Sequence, residues 1–310
     1  MQTRIVFMGS PDFALPTLRA LANNYSVVGV VTQPDRPAGR GRTLSPPAVK
    51  IMADDLGLPV MQPKKLQEPG AMARLRQWEP NLIVVTAFGQ ILRAEVLELP
   101  TFGCINVHAS LLPRWRGAAP IQAAILHGDP QTGVTIMKMD SGVDTGPLLS
   151  QRKIPILADE TAGSLSPKLA QLGAELLIET LPSHLAGDLK PQPQSNEATY
   201  APMLKKKDGQ LDFTQTAEEL EHKVRAFNPW PGTFMPWKGG QLKIHNSRAA
   251  GVNGQQTATP TDSGIHTIYE GFPAVVTGKG ILVLDQVQPA GKKPMPGEVF
   301  LRGARDWLSQ

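Results

Sequence analysis

Cysteine is almost absent from the sequence, since Cys104 is the only one among 310 residues. An internal disulfide is therefore excluded, which is typical of proteins in a reducing compartment, and we expect a cytoplasmic protein. Long apolar runs are also missing, because no stretch approaches the roughly 18 residues of a membrane-spanning helix. The N-terminus has too few apolar residues for a signal peptide and predicts a first β-strand. We therefore expect no membrane partner.

The common cofactor motifs are missing as well. Gly9-Ser10-Pro11-Asp12 follows the first predicted strand, where a dinucleotide-binding fold places Gly-x-Gly-x-x-Gly, and only the first glycine is present. There is no Walker A loop. The six histidines and the single cysteine show neither His-x-x-x-His nor Cys-x-x-Cys spacing. A nicotinamide cofactor is therefore not expected, and neither is a metal site.

The charge is modest and slightly basic. Charged residues make up 19% of the chain and hydrophobic residues 41%, which is typical of a globular protein. The net charge is +4, and residues 205–310 carry 13 Lys and Arg against 10 Asp and Glu. This C-terminal excess favours an anionic partner such as nucleic acid. A mildly basic enzyme without such a partner explains the charge equally well.

The pattern of predicted elements changes along the chain. Strand-like and helix-like segments alternate over the first half, which predicts an α/β fold with a Rossmann-like open, mostly parallel sheet. A long helix over 161–186 precedes a stretch rich in Pro, Gln and Ser, which predicts a linker. Five short strands punctuated by Gly, Pro and Asn come last and predict a smaller OB-like β-barrel domain. We therefore predict domains over 1–187 and 205–310, with a linker over 188–204.

Polar side chains end two of the predicted strands. Asn106 and His108 are two residues apart, so they project from the same face of the strand over 104–108. Asp144 lies in the Gly-rich loop that ends the next strand, and both loops meet at one edge of the sheet if the strands are neighbours. Each residue alone has a structural explanation, whereas the three together favour an enzyme site. Cys104, on the same face, is either a catalytic thiol or, as we favour, a small buried residue.

Several segments resemble the methionyl-tRNA formyltransferase family, and the resemblance covers essentially the whole chain. The segments are 7–13, 33–41, 106–117, 140–146 and 225–231. The Asn-x-His and Asp core alone resembles formyltetrahydrofolate-using enzymes in general, and the Arg-rich loop and C-terminal domain narrow the resemblance. It implies 10-formyltetrahydrofolate as the formyl donor and the α-amino group of methionyl-initiator tRNA as the acceptor, for translation initiation.

The resemblance also implies roles for individual residues. Asn106, His108 and Asp144 fall on catalytic positions, where an amide N–H suits a developing oxyanion, an imidazole exchanges protons and a carboxylate orients the ring. The donor would contact two segments, which contain Ser110, Leu111, Leu112, Pro113, Phe88, Gly89 and Ile91. We expect Pro113 to stiffen the first segment and to leave its backbone groups free for a flat pterin. Arg114 and Arg116 suit the anionic tail of a folate, although a solvated loop surface explains both arginines equally well.

Basic residues in two places are expected to contact tRNA. Arg36, Arg40 and Arg42 lie in loop 33–46, where prolines and glycines oppose regular structure, and the resemblance implies that this loop reaches the acceptor stem. Lys205, Lys206 and Lys207 would form a second phosphate contact at the domain junction, although a solvated linker explains a lysine triplet as well. We expect the protein to act as a monomer.

Two other functions remain open from the residues. A formyltransferase acting on a small amine, of the purine-pathway or sugar-nucleotide type, would share the Asn106, His108 and Asp144 core. It would not need the Arg-rich loop or the basic C-terminal domain. A non-catalytic RNA-binding protein on a former enzyme fold is the third interpretation, and the intact core opposes it.

Overall fold

The computed structural model describes residues 3–38, 43–251 and 263–309. Its contacts divide the chain into two compact units, which we call unit 1 and unit 2. Unit 1 comprises Met1–Pro120, Gln131–Ile154 and Ser166–Tyr200. Unit 2 comprises Ile121–Pro130, Pro155–Leu165 and Ala201–Gln310. The domain boundaries at residues 187 and 205 stay a prediction, and two short segments from the predicted domain over 1–187 belong to unit 2.

The strands of the first half are β1 (Arg4–Gly9), β2 (Ser26–Val31), β3 (Arg36–Ala38), β4 (Thr43–Ser45), β5 (Val60–Met61), β6 (Leu82–Thr86), β7 (Cys104–His108), β8 (Arg116–Gly117), β9 (Gln131–Lys138) and β10 (Leu148–Pro155). Seven of them form one sheet in the order β10-β9-β7-β6-β1-β2-β5. β1 is parallel to β2 and β6, and β6 is parallel to β7, whereas β7 is antiparallel to β9. The predicted Rossmann-like, mostly parallel sheet is confirmed.

The helices of this part are α1 (Leu15–Asn24), α2 (Ala48–Asp55), α3 (Pro69–Gln77), α4 (Ala94–Leu97), α5 (Pro120–Leu126) and α6 (Ala162–Ala186). α6 approaches the sheet closely at Gly173, where a Cβ would lie 2.7 Å from Cγ1 of Val107 in β7. Only glycine permits this approach. Because neighbouring side chains of a strand point to opposite faces, α6 covers the face of β7 that Asn106 and His108 do not use.

The central strands of the sheet are buried throughout. All five residues of β6, with the sequence LIVVT, are buried. An apolar cluster joins Val85 of β6 to Leu75 and Trp78 at the end of α3. Trp78 lies directly on β2, where a Cβ at Gly29 would overlap its ring. A mainly parallel sheet that is covered on both faces requires such continuous apolar strands.

The stretch predicted as an irregular loop over 33–46 contains regular structure. β3 and β4 pair antiparallel, with Arg36 opposite Ser45 and Pro37 opposite Leu44. The prediction is wrong here because each strand of a two-stranded ribbon has a free edge, where a proline breaks no ladder hydrogen bond. Residues 39–42, which include Arg40 and Arg42, lie outside the described residues.

The second half contains β11 (Tyr200–Ala201), β12 (Thr233–Trp237), β13 (Gly240–Ala250), β14 (His266–Tyr269), β15 (Phe272–Val276), β16 (Ile281–Pro289), β17 (Met295–Pro296), α7 (Ala217–Ala226) and α8 (Gly297–Gly303). The sheet of unit 2 has the order β12-β13-β16-β15-β14, and β17 pairs with β16. The neighbouring strands of this sheet are antiparallel. The five predicted strands are present, whereas the OB-like closure into a barrel stays a prediction.

Unit 2 has an apolar core of its own, in which Leu220 of α7, Leu284 of β16 and Phe300 of α8 are buried together. α7 begins with a capping box, because the Thr216 hydroxyl accepts from the Glu219 N–H and the Glu219 carboxylate accepts from the Thr216 N–H. Throughout residues 3–38, 43–251 and 263–309, no helix has both the length and the apolar character needed to cross a membrane.

Candidate active site

β7 presents the first two site residues. Asn106 and His108 project from one face of this strand and are only 9% and 5% exposed. Both lie in unit 1, in the part of the sheet where β7 has β6 on one side and β9 on the other. The two side chains therefore share one face of the strand, as the two-residue period of a strand predicts.

Asp144 joins them from the loop between β9 and β10. Its Oδ1 accepts from Asn106 Nδ2 at 3.2 Å, and its Oδ2 accepts from the Gly117 N–H at 2.9 Å. The same Oδ2 lies 3.6 Å from Nδ1 of His108. Asp144 has a positive φ of 52°, a conformation that is uncommon for a residue with a side chain. The loop therefore holds this carboxylate in a constrained position.

The route by which Asp144 reaches the site differs from the prediction. β9 is the neighbour of β7, but the two strands are antiparallel, with Ile105 opposite Lys138 and His108 opposite Thr135. The loop after β9 therefore starts beside the beginning of β7, and the expectation that both loops leave the same edge is wrong. The loop closes tightly on its own start, where a Cβ at Gly146 would overlap the Lys138 carbonyl oxygen.

The imidazole of His108 is fixed by a backbone carbonyl. Its Nε2 lies 3.0 Å from the carbonyl oxygen of Trp115. A carbonyl oxygen only accepts hydrogen bonds, so Nε2 carries a hydrogen and donates it. In the neutral ring Nδ1 then carries no hydrogen, and its lone pair faces the Asp144 carboxylate. Nδ1 is therefore the ring nitrogen that can exchange a proton, and its use in catalysis stays a prediction.

The segment 110–113 is a rigid turn anchored on β9. The Thr135 hydroxyl donates to the Ser110 carbonyl at 2.6 Å and accepts from the Leu112 N–H at 3.1 Å. Gln151 Nε2 donates to the Leu112 carbonyl at 2.9 Å and to the Thr135 hydroxyl at 2.9 Å. The Leu111 carbonyl accepts from the Arg114 N–H at 3.0 Å. The expectation that this segment keeps its backbone groups free is therefore wrong for these three carbonyls and for the Leu112 N–H.

The second predicted donor segment follows β6. Phe88 is 2% exposed and belongs to the apolar core, whereas Ile91 is 70% exposed and Gly89 has a positive φ of 78°. The Phe88 carbonyl accepts from Gln33 Nε2 at 3.0 Å, and Gln33 Oε1 accepts from the Arg36 guanidinium at 3.0 Å. One side chain thus connects this segment to the start of the β3–β4 ribbon.

The predicted basic residues have different surroundings. The Arg36 side chain is exposed, and Arg40 and Arg42 lie outside the described residues. Lys205, Lys206 and Lys207 are exposed in unit 2, where a short 3-10 helix begins at Lys206. The guanidinium of Arg114 lies 4.4 Å above the Trp115 ring. Arg116 donates to Gln194 Oε1 from Nε at 3.0 Å and from Nη2 at 2.8 Å.

Cys104 is a buried packing residue. It is 1% exposed and belongs to the apolar cluster that includes Val85 and Trp78. Burial raises the pKa of its thiol to about 12, which opposes a nucleophilic role. In the part of the chain that the structure describes, no three His, Cys, Asp or Glu side chains lie together in a way that could hold a metal ion.

Sequence reasoning missed four polar residues of this region. Thr135 and Gln151 anchor the 110–113 turn, Gln33 contacts Phe88, and Gln194 contacts Arg116. Gln194 Nε2 also donates to the carbonyls of Asp144 and Gly146. Their bonds join positions far apart in the chain, so no local pattern identifies them. Thr135, a polar residue within the predicted strand that precedes the Asp144 loop, gave the only signal in the sequence.

Comparison with known proteins identifies the family to which this chain belongs. The family model described as "Formyl transferase" matches residues 3–181, and the one described as "Formyl transferase, C-terminal domain" matches residues 203–305. The sequence is 52% identical over 301 residues to a methionyl-tRNA formyltransferase of Myxococcus xanthus, covering 97% of this chain and 95% of that protein. The chain belongs to the methionyl-tRNA formyltransferase family. A second member, from Halorhodospira halophila, is 48% identical over 307 residues, covering 98% of this chain and 97% of that protein.

Solved structures share the fold at low sequence identity. WlaRD, a sugar 3N-formyl transferase, has a TM-score of 0.65 at 19% identity, covering 94% of this chain and 100% of that chain. A HypX variant from Aquifex aeolicus has a TM-score of 0.59 at 17% identity, covering 97% of this chain and 49% of that chain. This chain therefore spans about half the length of HypX. The resemblance to the methionyl-tRNA formyltransferase family is confirmed, and the roles of individual residues stay predictions.

Proposed function

We propose that the unit 1 site transfers the formyl group of 10-formyltetrahydrofolate to the α-amino group of methionyl-initiator tRNA, for translation initiation. One observation carries the proposal: the Asp144 carboxylate lies 3.2 Å from the Asn106 amide and 3.6 Å from Nδ1 of His108. Family membership supports the acceptor. A folate donor is supported by WlaRD, solved with 5-N-formyl-THF, and by HypX, solved in complex with tetrahydrofolic acid.

The proton movements of this reaction suit His108. A bond forms between the amine nitrogen and the formyl carbon, and the bond between that carbon and the donor nitrogen breaks. The amine loses a proton and the leaving nitrogen gains one, so one group that accepts and then donates serves both steps, for a gain of about 10²–10⁴-fold. Nδ1 of His108 is that group, because Nε2 already donates to Trp115. Asp144 stabilises the imidazolium through its opposite charge.

Asn106 supplies a neutral donor for the oxyanion. Nδ2 has two hydrogens, and one of them is donated to Asp144. The other can meet the oxygen of the formyl group as it becomes negative, which contributes roughly 3–4 kcal/mol to the transition state. Freeing an α-amine with a pKa near 8 at neutral pH costs only about 1.4 kcal/mol. Stabilising the tetrahedral state is therefore the larger demand on the site.

The donor would lie against the two segments already described. The turn that contains Ser110, Leu111, Leu112 and Pro113 is held rigidly by Thr135, which suits a flat ring system. Gly89 and the exposed side chain of Ile91 offer the opposite contact, and the buried Phe88 would support them from the core. Arg114 lies beside this turn as a cation for an anionic tail. The proposal includes no metal.

The tRNA would be held through phosphate contacts by basic residues of both units. Arg36, Arg40 and Arg42 supply three guanidinium groups within seven residues, and Lys205, Lys206 and Lys207 are exposed in unit 2. Phosphate contacts dominate the affinity of proteins for nucleic acids, and each contact contributes to the salt dependence. We propose that the protein acts as a monomer in the cytoplasm.

A formylation assay with the purified chain tests the proposal. We expect transfer from 10-formyltetrahydrofolate to methionyl-initiator tRNA, and we expect Asn106→Ala and His108→Ala each to lower the single-turnover rate by at least about 10²-fold. Substrate affinity should change little in both variants, since these side chains act mainly on the transition state. Asn23→Ala, at an exposed asparagine of α1, is the matched control and should keep the parent rate.

Three results would contradict the proposal. Normal single-turnover rates in both site variants would remove Asn106 and His108 from the chemistry. Efficient formylation of a small sugar amine or purine precursor, without transfer to charged tRNA, would favour the small-amine enzyme instead. Folate binding without any transfer would leave only a binding protein.

A further inference from the structure

The segment predicted as a linker is bound to the site by specific hydrogen bonds. Gln192 exchanges two backbone hydrogen bonds with Leu148, at 2.7 and 2.8 Å. Thr199 donates from its N–H to the Pro113 carbonyl at 3.3 Å and accepts at its carbonyl from the Arg116 N–H at 2.9 Å. We call residues 192–199 the bracing segment. It belongs to unit 1, together with every residue that it contacts in these bonds.

The Gln194 side chain makes the densest set of contacts in the bracing segment. Its Nε2 donates to the carbonyls of Asp144 at 2.9 Å and Gly146 at 2.7 Å. Its Oε1 accepts from Arg116 Nε at 3.0 Å and Nη2 at 2.8 Å. Both hydrogens and both lone pairs of the amide are therefore used. Gln194 is half-buried, whereas Gln192 and its immediate neighbours are exposed.

These contacts lie on the two loops that fix the Asp144 carboxylate. One loop carries Asp144 itself, which has a left-handed backbone at φ 52° and needs its surroundings to hold it there. The other loop carries Gly117, whose N–H donates to Asp144 Oδ2 and which follows Arg116 directly. Gln194 joins the first loop through its amide hydrogens and the second through its oxygen. Removing its amide would release both loops at once.

The bracing segment also reaches His108 by a second path. The Thr199 hydroxyl accepts from the Trp115 N–H at 2.9 Å, and the Trp115 carbonyl accepts from His108 Nε2 at 3.0 Å. One short segment thus supports both members of the His108 and Asp144 pair from outside the sheet. Among the described residues, neither Gln194 nor Thr199 bonds to Asn106, which β7 positions directly.

We propose that Gln194 is a positioning residue for formyl transfer, which holds the Asp144 carboxylate beside Asn106 and Nδ1 of His108. The inference rests on the proposed function. Gln194 itself contacts no reacting group in this assignment and acts through the backbone of both loops. Because displacement of a catalytic group by about 1 Å costs roughly 10²-fold in rate, loss of this support should appear in the chemical step rather than in binding.

The test compares three substitutions in the full-length chain. Gln194→Ala removes the side chain, Gln194→Met keeps its length without hydrogen bonds, and Gln194→Glu keeps an acceptor for Arg116 while it sets a carboxylate against the Asp144 and Gly146 carbonyls. The matched control is Gln192→Ala, since the Gln192 side chain donates only to the exposed Lys190 carbonyl. The measurements are the single-turnover formylation rate, the Kd for 5-formyltetrahydrofolate and the melting temperature.

We expect Gln194→Met and Gln194→Glu to lower the single-turnover rate by about 10–10²-fold, with the folate Kd nearly unchanged and the protein still folded at the assay temperature. Gln192→Ala should match the parent. A parental rate in Gln194→Met overturns the inference, and so does a rate loss that only parallels a loss of folate affinity or of melting temperature. If Gln194→Ala fails to fold, Gln194→Met decides the outcome. A parent without formyl transfer would overturn the proposed function as well, whereas an active parent with an unaffected variant overturns this inference alone.

Discussion

The two nitrogens of His108 face different neighbours, and this difference decides which nitrogen donates a hydrogen bond. Nε2 donates to the Trp115 carbonyl, and Nδ1 faces the Asp144 carboxylate. The ring is only 5% exposed, so the groups that pack around it shield both nitrogens from most of the bulk water. The same strand face carries Cys104, whose thiol lies in the apolar cluster.

Cys104 supplies a prediction at the residue scale. Burial raises the pKa of its thiol from 9.0 to about 12, so the thiol stays protonated at pH 8 in the folded protein. Since alkylating reagents attack the thiolate, we expect the folded protein to react about 10³-fold more slowly than the urea-unfolded chain at pH 8. Mass spectrometry after timed iodoacetamide treatment measures both rates. Equal rates would show that the thiol is accessible and ionises normally.

At the scale of elements, strand β9 supports the site through one hydroxyl. Thr135 is fully buried and bonds to Ser110, Leu112 and Gln151. The antiparallel pairing of β9 with β7 sets Thr135 opposite His108, directly beside the turn that follows β7. A strand that contributes no catalytic group therefore fixes the shape of the turn proposed to hold the donor.

Thr135→Val tests this support. The substitution keeps the side-chain shape but leaves the Leu112 N–H without its acceptor, so we expect a loss of about 1–3 kcal/mol in the free energy of unfolding and a weaker donor affinity. Thr86→Val on β6 is the matched control. Thr86 is also fully buried, but its hydroxyl has no hydrogen-bond partner among the described residues. Removing it should leave stability unchanged or raise it.

Urea unfolding at pH 7 and donor titration measure both effects. A Thr135→Val protein as stable as Thr86→Val, with the parent's donor affinity, would show that the hydroxyl does not hold the turn.

Elements with a strong local pattern were predictable from the sequence. The strand predicted over 104–108 matches β7, all of whose residues are buried in a covered sheet. β10 was missed, since Gln151, Arg152 and Lys153 make it a polar strand at the sheet edge. β3 and β4 were missed because prolines suggested a loop. A run of apolar residues indicates a buried strand, whereas strands outside the core have no such run and cannot be predicted in this way.

Only the part of the site that lies on a single strand was predictable from the sequence. The common face of Asn106 and His108 follows from the two-residue period of a strand. The direction of β9 does not follow from its sequence, so the path of Asp144 was expected wrongly. Gln194 lies in a Pro- and Gln-rich stretch that indicates a linker by composition, and its bonds to Asp144 and Arg116 depend on tertiary structure alone.

At the scale of the whole molecule, the two units are not consecutive in sequence. Unit 2 contains Pro155–Leu165 as well as Ala201–Gln310. Within unit 2 the Gly163 N–H donates to the Asn228 carbonyl at 2.9 Å, and Arg225 Nη1 donates to the Glu160 carbonyl at 3.1 Å. A cut at residue 204 therefore separates parts of one compact unit.

A chain truncated after residue 204 should accordingly be unstable. It keeps Pro155–Leu165 but loses Asn228 and Arg225, the partners of this segment, and we expect aggregation or a broad unfolding transition below the full-length melting temperature. In the full-length chain, Arg225→Ala should cost about 1–3 kcal/mol of unfolding free energy, whereas the exposed Arg302→Ala should stay within about 0.5 kcal/mol.

Calorimetry of both chains decides this prediction. A fragment 1–204 with a sharp transition at the full-length temperature would show that the N-terminal part folds independently. An unstable fragment would fail to formylate tRNA simply because it is unfolded, whatever its natural acceptor is. Competition between charged tRNA and a small amine in the intact protein therefore distinguishes a tRNA formyltransferase from a small-amine formyltransferase.

The position of the bracing segment has a consequence for synthesis on the ribosome. Thr199 is made after every residue that the bracing segment holds in place. At about 5–20 residues per second, roughly 5–18 s pass between the incorporation of His108 and that of Thr199. During this interval β7, which carries the imidazole and the amide, has already been made, but the loop of Asp144 still lacks its bonds to Gln194. The support that we propose for the Asp144 carboxylate is therefore completed only after every strand of the sheet around β7 has been synthesised.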